Sequence, residues 1–67
     1  MSRPRHYLKL NGEIRVCILE PRDAVLVGDI VAVERAQTDL RVRDHMARIR
    51  ERVCDMVVES GRYVVTD

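Results

Sequence analysis

The side chains able to hold a metal ion or act as nucleophiles are few: His6, Cys17, His45 and Cys54. They are suitable types for zinc, so their spacing decides the matter. Thr38 to Gly61 reads as one helix, and in it His45 and Cys54 are nine positions apart, about 180° around the axis. Ligands on opposite sides of a helix cannot close on one ion, and Cys17 has the opposite strand parity to His6 in the hairpin register preferred below. A Cys–His nucleophile pair meets a similar objection. Neither cysteine stands at a helix N-terminus or in a glycine-rich turn that would lower its pKa.

The remaining candidates point the same way. Gly12, Gly28 and Gly61 are too scattered to cradle a phosphate, and Ser2 and Ser60 lie in no nucleophile-elbow context. The carboxylates mostly neighbour arginines, as on a solvated ion-pair face, and no pair is singled out. His45 borders an apolar stripe, where a histidine satisfied by its neighbours is expected rather than a proton shuttle. The expectation is a protein that is not an enzyme, with no metal and no cofactor.

What the sequence does specify is an element to build on. Val42, Met46, Ile49, Val53, Met56 and Val57 recur at steps of three and four, which makes one apolar stripe of an amphipathic helix. Thr38 and Asp39 are N-cap types, and Ser60-Gly61 supplies a left-handed stop. Leu40, Ala47, Cys54 and Val58 form a second strip on the far side, roughly 120–160° from the first. A helix that only covers a sheet needs one apolar face, so the second strip predicts a partner helix, most economically its own copy across a two-fold axis. Arg43, Arg50 and Glu51 would form the polar rim of that self-contact.

Before the helix, residues alternate on both sides of Asn11-Gly12, a strong hairpin signal. Two registers are open. A two-residue turn puts Leu8 and Leu10 on the face opposite Ile14 and Val16. A three-residue loop with Gly12 at a bulge aligns His6, Leu8, Ile14, Val16 and Ile18, and is preferred because it gives a single buried face. The segment Ala24 to Val33 is rich in β-branched residues and, read as a helix, is apolar all round, so it is expected to be a strand. A helix beginning at Pro21 is the alternative. Arg62 to Thr66 reads as a closing strand.

The resulting expectation is a single α+β domain with a small antiparallel sheet, in β-β-β-α-β order, packed on one long C-terminal helix. Residues 1–5 would form a short basic arm. In element order this resembles the small DNA-binding domains of phage-type integrases. A ribbon-helix-helix reading is also open, with Glu13 to Leu19 as an intermolecular ribbon and helices over Pro21 to Ala36 and Thr38 to Ser60.

Composition bounds the function. A chain of 67 residues draws only about 3–5 kcal/mol from a single core. This core must be made of aliphatics, because the chain has no Phe or Trp. Two cysteines cannot build a disulfide scaffold, which favours reinforcement by association. Twelve basic residues stand against eleven acidic ones, so no dominant charge directs the chain to nucleic acid or membrane. No apolar run is long enough to span a bilayer, and MSRPRHY lacks the apolar core of a signal peptide; the expected location is the cytoplasm, with reduced thiols.

Two functions follow. The first is a protein–protein interaction module, a homodimer acting as adaptor or inhibitor of a larger protein, because two elements carry surplus apolar surface. The second is nucleic-acid binding through Arg3, Arg5, Lys9, Arg15 and Arg22, with Tyr7 available to stack.

Overall fold

The computed structural model describes residues 4–67. Strand β1 (His6–Leu10) turns into β2 (Glu13–Leu19); helices α1 (Pro21–Ala36) and α2 (Leu40–Ser60) follow, and β3 (Tyr63–Val65) closes the chain. Both neighbours of β2 run antiparallel to it, giving the sheet order β1-β2-β3. The class is α+β with a small antiparallel sheet, as expected. The element order is instead β-β-α-α-β, and two helices rather than one back the sheet.

The correction lies in the valine-rich segment. Ala24 to Val33 is helical, not extended, because Pro21 occupies the first turn with a backbone angle already suited to a helix, and Glu20 precedes it in extended conformation as N-cap. An all-round apolar sequence carries no helical period, so alternation was the only pattern it displayed. It survives as a helix because it leaves much of itself uncovered: Val27 and Ile30 are buried, whereas Val25 remains 63% exposed. Helix α2 forms where the apolar stripe predicts. Asp39 caps it by accepting a hydrogen bond from the Arg41 amide at 2.9 Å. Gly61 ends it in the left-handed conformation, with φ 71°.

The hairpin register is the second correction. Asn11 and Gly12 have φ of 51° and 86°, two left-handed residues in succession, which is the primed two-residue turn that matches strand twist. Leu10 therefore faces Glu13, Leu8 faces Arg15 and His6 faces Cys17. The preferred three-residue loop does not occur. His6 and Cys17 share a face after all, so the parity objection to their meeting falls.

One face of the sheet packs under the helices. Leu8, Cys17, Leu19, Val27 and Val57 form the buried cluster, with Leu10, Val31, Val53, Cys54, Val58 and Tyr63 against it. Arg62 donates from Nε and Nη2 to the Asp23 carboxylate at 3.0 and 3.3 Å, tying the start of α1 to the turn after α2. The ribbon-helix-helix alternative had both helices nearly right. Its ribbon is impossible here, since β2 is paired on both sides within its own chain.

Candidate functional site

The two-residue turn makes the sheet apolar on both sides. Leu8, Cys17 and Leu19 go under the helices, and the alternate residues Tyr7, Ile14, Val16, Ile18 and Val64 go to the other face. Among the described residues no layer covers that face. Tyr7, Ile14 and Val64 are 71%, 62% and 65% exposed, and Val16 and Ile18 are half-buried by their neighbours. Lys9 is the one charged strand residue on it. An antiparallel sheet with one solvated side normally alternates apolar and polar residues, so an aliphatic outer face is the feature to explain.

A second feature runs along the free edge of β1. The pair that closes a two-residue loop is hydrogen-bonded, so by alternation Leu8 and His6 direct their main-chain groups to β2, while Lys9 and Tyr7 direct theirs away. No further main-chain hydrogen bond among the described residues reaches these groups. Two adjoining grooves flank the edge. One, of about 440 Å³, lies at the start of β1 and is lined by Arg5, His6, Gly28, Val31, Arg35 and Cys54 among others. The other, of about 520 Å³, lies toward its end against Glu51, Cys54, Asp55 and Val58 of α2. Both include Tyr7 and Arg50.

The proposed self-contact strip is thereby dispersed. Cys54 and Val58 pack against the chain's own core and line the β1 groove, Ala47 is half-buried, and only Leu40, at 69% exposure, projects freely. The arginines of its rim reach toward α1. Arg43 donates from Nη2 to the Gln37 carbonyl at 2.7 Å, and Arg50 forms an ion pair with Glu34, Nε to Oε2 at 2.9 Å, although that N–H is not aimed at the oxygen.

The residues proposed to meet nucleic acid are also separated. Arg3 lies outside the described residues. Tyr7 and Lys9 share the outer face, but Arg15 stands beneath the helices' side of the sheet, paired with Asp67 at 2.9 Å. Arg5 and Arg22 are exposed and apart, the former just before β1 and the latter in the first turn of α1. The arrangement is an aliphatic face with one lysine, not a basic surface, and the likeness to integrase domains in element order is lost with that order.

No family model, curated protein or solved structure matches this chain.

Burial favours the neutral forms of three groups, His6, Cys17 and Cys54. Burial lowers the pKa of His6, whose Nε2 is buried and without a partner among the described residues. Burial raises the Cys17 thiol, assisted by the Asp67 carboxylate, and raises Cys54 against the opposing pull of Arg50. Such thiols are poor nucleophiles at neutral pH. Among the described residues no group of three or more His, Cys, Asp or Glu side chains gathers to hold an ion, and no helix is long and apolar enough to cross a membrane.

The residues that sequence reasoning missed are Ile14, Val16, Ile18 and Val64 as an outward face. The signal was present in Asn11-Gly12, a dipeptide that favours the primed turn and therefore the other register.

Proposed function

We propose that this chain is a non-enzymatic interaction module that pairs with a second copy through the outer face of its sheet. The observation that carries the reading is the uncovered row of Ile14, Val16 and Ile18 on β2, flanked by Tyr7 and Val64. Sheets stack about 10 Å apart with their aliphatic faces interdigitated, and a flat aliphatic face is complementary to its own copy. Lys9, beside Ile14 near the hairpin turn, stays at a corner of such a contact and avoids burial.

Size sets the strength. Three strands about 4.8 Å apart, with a central strand of seven residues, make a face of roughly 300 Å². That is within the range of functional surface patches and below the roughly 800 Å² per partner of a standard interface. The dimer is therefore weak and reversible. The exposed side of α1, bearing Val25, Leu26 and Val33, remains open for a larger protein, in keeping with an adaptor or inhibitor.

Sedimentation equilibrium tests the reading. The chain should be dimeric at tens of micromolar, and Val16→Lys should be monomeric with unchanged helix content, since the Val16 side chain lies on the sheet face opposite the buried cluster. A chain that stays monomeric to several hundred micromolar, or a Val16→Lys variant as dimeric as its parent, overturns it.

A further inference from the structure

The free edge of β1 is independent of the outer face and survives a sheet-on-sheet contact. Tyr7 and Lys9 offer it two unpaired sets of N–H and C=O groups, and α2, which packs on β1 rather than β2, walls the groove beside them. We infer that this edge accepts an extended segment of another protein as a fourth, antiparallel strand, with the segment's cationic residue toward its N-terminus and its carboxylate toward its C-terminus.

Charge supplies the direction. Apart from the Arg50–Glu34 pair and Lys9, whose side chain belongs to the outer face of β1, the groove carries Arg5 and Arg35 at the start of β1 and Glu51 and Asp55 of α2 toward its end. None of these four takes part in an ion pair among the described residues, whose pairs are Arg15–Asp67, Arg50–Glu34 and Arg62–Asp23. An antiparallel strand continues the sheet with the more stable of the two ladders, and in that direction its C-terminal end meets Arg5 and Arg35 while its N-terminal end meets Glu51 and Asp55. Side chains of such a strand alternate between the outer face and the groove. Between the charged ends the groove offers Cys54 and Val58, so the intervening inward residue is apolar.

A second copy of this chain does not fit the same edge. Two β1 strands paired antiparallel would stand about 4.8 Å apart, whereas the α2 helices lying on them need about 8–10 Å between axes. The β1 strand is also the wrong ligand, because Arg5 and Lys9 are cationic at both ends and neither end supplies a carboxylate. The occupant is a lone strand that brings no helix over it.

The probe is a synthetic peptide with blocked termini, KTVTVTE, compared with KTVTVTK, which matches only one end of the groove. On addition of KTVTVTE to the full chain, amide exchange at Tyr7 and Lys9 should slow by at least about tenfold, while KTVTVTK binds at least about tenfold more weakly, the loss of one charge pair in a partly enclosed site. Lys9→Pro removes an N–H that points away from β2, so the intramolecular ladder is kept and peptide binding should be lost. Absence of any protection at Tyr7 and Lys9 up to about 5 mM peptide, equal binding of the two peptides, or unchanged binding by Lys9→Pro overturns the assignment. Should Lys9→Pro misfold, the exchange measurement on the parent chain still decides. Loss of a dimer on Lys9→Pro would mean that a second copy occupies the edge, and would also overturn it; Val16→Lys reads the outer face separately.

Discussion

Asp23 and His6 illustrate how single side chains hold this fold and limit it. Asp23 is the one buried charged residue among the described residues, and its carboxylate is satisfied by the fork of Arg62. Removing the arginine leaves the acid shielded from water without a partner, while the partial exposure of Arg62 weakens the Coulombic share. Arg62→Ala should therefore cost about 1–2 kcal/mol, read as a lower urea midpoint. His6 acts through pH. Its pKa is lowered in the folded chain by burial, so the unfolded chain takes up the proton first as pH falls. Stability is full above the ordinary imidazole range, declines as pH drops through it, and levels off once the lowered folded pKa is passed. Thermal melts between pH 8 and pH 5 should show this decline, and His6→Gln should flatten it; an identical slope in the variant would assign the effect elsewhere.

At the level of elements, the same substitution has opposite signs at two glycines. Gly28 lies within α1, its φ is negative, and an added Cβ meets nothing within 4 Å. Gly28→Ala should stabilise the chain by about 0.5–1 kcal/mol through helix propensity and reduced freedom of the unfolded chain. Gly61 has equal room but a left-handed backbone, so Gly61→Ala should destabilise by about 1 kcal/mol. Chemical denaturation of the pair checks both signs. These elements also mark what could be read in advance. Helix α2 was legible because its caps and its apolar period agree. The stretch from Ala24 to Val33 was not, because a helix apolar on every side has no period, and the decisive information was Pro21 at its start. The hairpin is legible in Asn11-Gly12, but burying a single face favours one register and the turn chemistry of that dipeptide the other, and the turn chemistry prevails. The site suffered accordingly. Cys54, Val58 and Arg50 were singled out as neighbours and do lie together, but against β1 and α1 of their own chain.

The whole molecule measures 33 × 30 × 18 Å, a slab one sheet and one helix layer thick. Each side of it exposes hydrophobic residues, Val25, Leu26 and Val33 on α1 and Tyr7, Ile14 and Val64 on the sheet. If association through the sheet adds to stability by mass action, the midpoint of thermal unfolding should rise with protein concentration, as followed by scanning calorimetry between about 10 and 500 μM. A midpoint independent of concentration would mean that the folded unit is the single chain. The central strand receives its second neighbour from far along the chain, Leu19 pairing with Tyr63 and Cys17 with Val65. During synthesis, then, β2 and both helices emerge before β3 exists to shield one flank. A polypeptide halted short of Tyr63 would carry a seven-residue ribbon open along one side, a species prone to cross-chain pairing, so the fold is protected only once β3 has followed the helices.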